Sequence, residues 1–142
     1  ERSRGLGDVY KRQLHTLTIG QRARIAGEPQ RYYVARKEAA TRRIVVVPSK
    51  THPMLQCTSL TTSSFAWATG VPVLHTQLLA QVRYRQTAVP CFVHDHPTGG
   101  SGHLRITFAP SVEAVAPGQS VALYDKDTCL GSGTIEHVQT MA

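Results

Sequence analysis

Three histidines are the residues whose spacing comes nearest to a metal site. His94 and His96 stand two apart in PCFVHDH, so a strand would turn both imidazoles to one face, and His103 could lie opposite them across the PTGGSG turn. Three such ligands could hold zinc. No carboxylate or thiol completes the set convincingly, and an H-x-H pair at the edge of a loop is more often exposed to solvent. We therefore predict no metal site.

The cysteines give no sign of a disulfide framework or a zinc ribbon. Cys57, Cys91 and Cys129 lie far apart and form no C-x-x-C pair, which fits a reducing compartment. Cys91 sits in the apolar run VPCFV and Cys129 precedes a glycine-rich stretch. We interpret the cysteines as buried structural thiols rather than nucleophiles, because burial raises a thiol pKa and lowers its reactivity.

The remaining motifs predict no catalytic residue. The glycines of GGSG and LGSG lack the lysine and serine or threonine that end a phosphate-binding loop, so they are interpreted as turns. No Ser/His/Asp order and no pair of carboxylates is placed for nucleophilic or acid–base chemistry.

The stretch VRYRQ is the candidate for nucleic-acid contact. Alternation places Arg83 and Arg85 on one strand face, where they could contact phosphates, and the adjacent Tyr84 could stack on an unpaired base. The alternative is a solvated edge strand whose Tyr84 fills the interior of a barrel. The residues alone leave both interpretations open.

Short strands must position these residues, since helix signals are scarce. YYVAR and RRIVVVP, separated by KEAAT, predict a hairpin. QLLAQVRYR alternates, with Leu78, Ala80, Val82 and Tyr84 on one face. PCFVHDH and HLRITFA flank the PTGGSG turn, and SVALY and TCLGSGTIE flank DKD. Seven or so such strands predict an all-β fold, a small antiparallel barrel or sandwich.

Composition favours a polyanionic partner. The 142 residues carry a formal net charge of +7 and a pI of about 9.8. Residues 14–142 alone keep a net charge of +5. Lysine and arginine release condensed counterions when they meet phosphates, so nucleic acid is a suitable partner. No stretch approaches the roughly 20 apolar residues of a membrane span, so no membrane partner is predicted.

Four blocks of the sequence resemble a known family. HTLTIGQRARIAG, YYVARKE, VRYRQTAVPC and APGQSVALYDKDTCLGSGTIE occur in the order found in the C-terminal third of the tRNA-specific 2-thiouridylases, and they cover residues 14 to about 136. RARI, where bacterial members usually carry RKGL, is closer to the mitochondrial branch. A mitochondrial location is therefore expected, or a cytoplasmic one if the source is bacterial.

The resemblance implies a longer enzyme whose domains have separate functions. The family has an N-terminal ATP-pyrophosphatase-type domain, a small central domain and a C-terminal β-barrel similar to the second domain of translation elongation factors. ATP adenylates the C2 oxygen of the wobble uridine of tRNA, and a cysteine persulfide, loaded by a sulfur-donor relay protein, delivers sulfur. The ATP loop and both catalytic cysteines belong to the N-terminal domain, whereas Cys91 and Cys129 match non-catalytic positions. This chain alone is expected to be inactive and to hold no cofactor.

The resemblance also implies which residues contact tRNA near its anticodon. The arginine–tyrosine pair of the RYRQ block and the glutamine of the PGQ block correspond to Arg83, Tyr84 and Gln119. Their chemistry suits this role: a fork of donors for phosphate, an aromatic ring with a hydroxyl, and an amide that donates and accepts. GQRARIAG could line the same side, with no contact assigned.

The expected organisation has three parts. Residues 14–53 are the end of the central domain and its connection, and residues 54–142 are the barrel. Residues 1–13 are expected to be disordered and largely translated adapter, because DVYKRQ is encoded by GATGTGTATAAGAGACAG, which resembles a transposase-end sequencing adapter. The alternative is a free-standing elongation-factor-like barrel that binds RNA or a protein and starts near Leu14. No methionine precedes Met54, which favours a truncated enzyme.

Overall fold

The computed structural model of the chain describes residues 2–4, 18–23, 27, 31–38, 40–83, 85–96, 100 and 102–142. These residues form a four-stranded sheet and a closed six-stranded barrel, with one short 3-10 helix and no α-helix among them. No helix in the described part of the chain is long and apolar enough to cross a membrane. The predicted all-β fold with a small antiparallel barrel is confirmed.

The smaller sheet is antiparallel, with strand order β1-β4-β3-β2. Its strands are β1 (Arg2–Arg4), β2 (Arg22–Ala23), β3 (Tyr32–Glu38) and β4 (Arg43–Val47). β3 and β4 are the runs rich in aromatic and β-branched residues, and they pair directly, so the predicted hairpin is confirmed. β1 falls within residues 1–13 and pairs with β4. The adapter origin of that segment stays a prediction, and its other residues lie outside those described.

The barrel is closed by six antiparallel strands in the order β10-β5-β8-β7-β6-β9. The strands are β5 (Gln56–Trp67), β6 (Thr76–Gln81), β7 (Val89–Asp95), β8 (Leu104–Glu113), β9 (Ser120–Asp125) and β10 (Thr128–Thr140). The predicted pairs on either side of PTGGSG and of DKD are hairpins β7–β8 and β9–β10. Because the described strands close into a ring, each of the six has a neighbour on both sides.

The interior of the barrel is filled by the alternating residues of its strands. The predicted inward face of QLLAQV is confirmed, since Leu78, Ala80 and Val82 are all buried. β8 supplies Leu104, Ile106 and Phe108 in the same way. Burial of such side chains stabilises the fold by about 1.5–3 kcal/mol each.

One long strand, β5, has no counterpart in the sequence prediction. Half of its twelve residues are serine or threonine, which hides the alternation of apolar residues. The buried Thr62 shows why this composition is tolerated: its hydroxyl donates to Gly102 O at 2.9 Å and accepts from Leu104 N at 2.9 Å. A buried hydroxyl with both partners costs little.

The interpretation of LGSG (130–133) as a turn is wrong, because these residues lie in the middle of β10. Gly131 pairs with Trp67 and Gly133 pairs with Phe65 of β5. β5 and β10 approach so closely here that a Cβ on either glycine would overlap β5 backbone atoms. The glycines permit the close pairing of β10 with β5 and do not reverse the chain.

The sheet and the barrel share a small apolar junction. The buried residues of this junction are Ala35, Val45, Val47, Leu55 and Ala114. The 3-10 helix Pro53–Leu55 connects the two parts, and Ala114 N donates to Leu55 O at 2.7 Å. The end of β8 is thereby fixed against the start of the barrel and against the sheet.

The three thiols differ in exposure. Cys57 and Cys91 are buried, as predicted, and burial raises the pKa of each to about 11, against a smaller lowering by a backbone hydrogen bond. Cys129 is exposed, so the prediction of burial is wrong for that residue. It lies at the start of β10, beside the exposed β9–β10 turn, where its side chain points away from the barrel interior.

We predict that one thiol of the native chain reacts rapidly with a thiol reagent at pH 8 and that two react only on unfolding. Below their raised pKa the buried thiols stay protonated, and the thiolate is the reactive form. A stopped-flow titration with a disulfide reagent, before and after denaturant, measures this. The Cys129→Ser variant should lose the rapid phase, and a rapid phase of three thiols would contradict the burial of Cys57 and Cys91.

Candidate nucleic-acid interface

An open groove lies at one end of the barrel, where β6 ends and β9 begins. It has a volume of about 840 Å³. Its lining comes from three stretches far apart in sequence: Thr18, Ile19, Gly20 and Gln21; Gln81, Val82 and Arg83; and Gly118, Gln119, Ser120 and Ala122. The groove therefore brings together Arg83 and Gln119, which the sequence predicted as binding residues.

One wall of the groove is a tight turn formed by residues 18–21. Gln21 N donates to Thr18 O at 2.9 Å, and Gln21 Oε1 accepts from Thr18 N at 3.0 Å. Gly20 N donates to Val34 O at 2.6 Å and Gln21 O accepts from Val34 N at 2.8 Å, which holds the turn on β3. The turn contains the start of GQRARIAG, so that segment does line the groove at Gly20 and Gln21, while residues 24–26 lie outside those described.

Gly20 is required at its position in this turn. Its φ is +86°, a backbone conformation that residues with a side chain rarely adopt. A Cβ there would also lie 2.5 Å from Ala114 Cβ. The turn can pack against the end of β8 only because this residue has no side chain.

Arg83 is half-buried and bonds to the backbone of two other elements. Its Nη2 donates to Ile19 O at 3.4 Å and to Ala114 O. Its Nε is buried with no hydrogen-bond partner in the described part of the chain. The predicted contact of Arg83 with phosphate stays a prediction, but part of its donor fork is already used within the protein.

The predicted strand face shared by Arg83 and Arg85 is wrong. β6 ends at Gln81, and Gln86 N donates to Arg83 O at 3.1 Å in a turn. Arg85 has a φ of +67°, which is incompatible with a continuing strand. Tyr84 lies outside the described residues, so its predicted contact stays untested.

Gln119 is half-buried at the opposite wall. Its Oε1 accepts from Ala116 N at 3.3 Å, and its own backbone N donates to Ala116 O at 3.3 Å. Ile135 N donates to Gln119 O at 2.8 Å, which fixes the loop on β10. Its side-chain amide nitrogen has no partner among the described residues, so it can donate a hydrogen bond to a ligand in the groove.

Positive charge is concentrated in the sheet rather than in the barrel. Residues 18–52 contain eight Lys/Arg and two Asp/Glu, whereas residues 53–142 contain four and five. The described basic residues of the sheet region are all exposed: Arg22, Arg31, Arg36, Lys37, Arg42, Arg43 and Lys50. Four of them (Arg36, Lys37, Arg42 and Arg43) stand at the end of the β3–β4 hairpin, which we call the basic tip.

The sequence prediction overlooked the basic tip and the groove residues Gln81 and Ser120. A count of charge by segment would have found the tip, because the net charge changes sign between the sheet and the barrel. Gln81 gave no comparable signal. Its Nε2 donates to Gln86 O at 2.9 Å, a contact that only the fold reveals.

The histidines of the predicted strand pair are engaged separately. His94 Nε2 lies 3.1 Å from Thr107 Oγ1, and burial, followed by Arg105 and His75, lowers the His94 pKa. The rings of His96 and His103 are 6.0 Å apart in an edge-on arrangement. Among the residues that the structure describes, no group of three His, Cys, Asp or Glu side chains could hold a metal ion.

A closed antiparallel barrel with an open groove at one end defines a class of barrel domains, and comparison with known families identifies the class. Residues 57–135 match the aminomethyltransferase beta-barrel domain. The chain belongs to this family, and its relatives are tRNA-specific 2-thiouridylases that it matches in their C-terminal region.

Three relatives illustrate the match. The tRNA-specific 2-thiouridylase MnmA of Cupriavidus pinatubonensis is 40% identical over 129 residues, covering 86% of this chain and 35% of the relative. The MnmA of Ralstonia nicotianae is 40% identical over 125 residues, covering 83% and 33%. The MnmA of Methylibium petroleiphilum is 34% identical over 146 residues, covering 95% and 36%. The chain spans about a third of the length of these relatives.

Proposed function

We propose that this chain is the tRNA-binding C-terminal part of a tRNA 2-thiouridylase, and that its groove and basic tip bind tRNA near the anticodon. The observation that carries the proposal is the groove itself, which brings the 18–21 turn, Arg83 and Gln119 together from three distant stretches. The three bacterial relatives support it, since each is named for action on tRNA.

The two surfaces suit different parts of an RNA. The groove offers amide groups and backbone, which can bond to base edges, hydroxyls and phosphate oxygens. The basic tip offers exposed guanidinium and ammonium groups, which neutralise phosphates without reading sequence. Together they would fix the position of a tRNA rather than react with it.

Catalysis in this proposal belongs to the rest of the enzyme. ATP would adenylate the wobble uridine, and a persulfide cysteine supplied by a sulfur-donor protein would deliver sulfur, both outside this chain. We propose that the chain by itself produces no 2-thiouridine. A mitochondrial location is also a proposal. It rests on the sequence RARI, which is closer to the mitochondrial branch, whereas the matching relatives are bacterial.

Replacement of Gln119 tests the role of the groove. In the Gln119→Ala variant, the loss of one neutral hydrogen bond should weaken binding of an unmodified tRNA transcript about fivefold. Gln119→Glu retains the oxygen that accepts from Ala116 N but places a negative charge in the groove, so the loss should exceed roughly tenfold. Filter binding at fixed ionic strength measures both.

Gln77→Ala is the matched control. Gln77 is an exposed glutamine of β6 that does not line the groove. Its replacement should leave tRNA affinity unchanged. Equal affinities for the Gln77 and Gln119 variants would remove the groove from the proposed binding surface.

A further inference from the structure

We propose that Arg83 is a positioning residue: it holds the 18–21 turn against the end of β8 and so builds the wall of the groove, instead of contacting phosphate. This inference rests on the proposed function only for its effect on RNA. The structural part of the inference stands on contacts within the protein.

The first observation is that Arg83 joins three elements. It follows β6, and its Nη2 donates both to Ile19 O in the turn and to Ala114 O after β8. Two backbone carbonyls from different parts of the chain thus converge on one guanidinium nitrogen. An arginine that binds phosphate donates to it from its guanidinium nitrogens, Nη2 among them. In Arg83 that nitrogen already donates to two carbonyls of the protein.

The second observation is the close fit around these contacts. A Cβ on Gly20 would lie 2.5 Å from Ala114 Cβ, too close for a side chain, and at the contact distance of 3.5 Å from Arg83 Nη2, so the turn packs tightly on Ala114 with Arg83 directly beside it. Ile19 packs against the apolar clusters on both faces of the sheet. A shift of the turn would therefore disturb the junction between sheet and barrel.

The third observation concerns the charge itself. Arg83 is half-buried, and its Nε is buried without a partner in the described residues. The basic residues of the tip are exposed and therefore better placed to neutralise phosphates, with Arg36 Nε also paired with Glu38 Oε2 at 3.2 Å. Arg83 fits the role of a positioning residue, because its charge strengthens its hydrogen bonds to the two carbonyls.

Hydrogen exchange tests the positioning role without any RNA. In Arg83→Gln and in Arg83→Lys, the amides of Gly20 and Gln21 should exchange at least about fivefold faster, because the turn loses the hydrogen bond from Arg83 Nη2 to Ile19 O. The Leu104 amide, which bonds to Thr62 at the far end of the barrel, is the reference and should not change. Unchanged exchange at Gly20 and Gln21 in both variants would overturn the inference, whether or not the chain binds tRNA.

The salt dependence of tRNA binding separates positioning from phosphate contact. A lost phosphate contact lowers the slope of log affinity against log salt by about one, and lysine keeps the charge and therefore most of the salt-dependent part of such a contact. Positioning predicts that Arg83→Gln weakens binding with the slope unchanged, and that Arg83→Lys does not restore affinity, since an ammonium lacks the planar fork. A slope reduced by about one, or rescue by lysine, would refute positioning. If the wild-type chain binds no tRNA, the proposed function fails while the exchange result still decides the role of Arg83.

Discussion

Replacement of Gly133 by alanine is expected to destabilise the barrel strongly. Gly133 lies in β10 opposite Phe65 of β5, and a Cβ there would come 2.8 Å from Phe65 Cα and closer still to Ser64 O. Both are backbone atoms of a paired strand and cannot move as a side-chain end can. The cost should be about 3 kcal/mol, the upper end for overpacking.

Equilibrium unfolding in urea, followed by circular dichroism, measures the loss of stability. The control is Gly100→Ala, because a Cβ on Gly100 would meet nothing within 4 Å. That change should alter stability by less than about 0.5 kcal/mol. Similar midpoints for the two variants would show that the backbones of β5 and β10 leave room for a Cβ at Gly133.

Removal of charge from the basic tip should have the largest effect on tRNA binding. Arg42 and Arg43 are exposed neighbours, Arg43 as the first residue of β4 and Arg42 in the turn before it. In Arg42→Gln/Arg43→Gln, we expect tRNA affinity at low salt to fall about tenfold or more, and the salt slope to fall by up to about two. Glutamine retains the length and polarity of the side chains, so the change is mainly one of charge.

A charge-matched control separates the tip from general electrostatic attraction. Arg105 and Lys126 are exposed basic residues of the barrel, in β8 and in the β9–β10 turn, away from the groove. Arg105→Gln/Lys126→Gln removes the same two charges and should leave the salt slope nearly unchanged. If both double variants lose affinity equally, binding follows net charge and the tip has no special role.

Much of the fold follows from local sequence patterns. Alternation in QLLAQV and HLRITF and the β-branched run of β4 identified strands whose inward residues are buried. β5 was missed because its serines and threonines carry no apolar periodicity, and their burial depends on partners such as Gly102 and Leu104. LGSG was misinterpreted because the need for glycine there comes from the close approach of β5, a strand distant in sequence, which local sequence does not reveal.

The candidate site likewise has features that the sequence predicts and features that depend on tertiary packing. Arg83 was a candidate from the VRYRQ stretch as well as from the family resemblance, Gln119 came from the resemblance alone, and the structure places both in one groove. The carbonyl contacts of Arg83 could not be predicted, because Ile19 and Ala114 meet it only through tertiary packing. The charge difference between sheet and barrel was present in the sequence and needed only a count by segment.

Ultraviolet crosslinking of a tRNA transcript to this chain, with the crosslinked peptides mapped by mass spectrometry, tests the central claim most directly. The groove and the basic tip predict crosslinks in residues 18–22, 36–43, 82–86 and 117–120. The described residues of two loops, 68–75 in one and 100, 102 and 103 in the other, lie at the opposite end of the barrel and should remain free of them. Crosslinks confined to those loops, or an absence of crosslinks under conditions where the relatives' enzymes bind tRNA, would contradict the proposed interface.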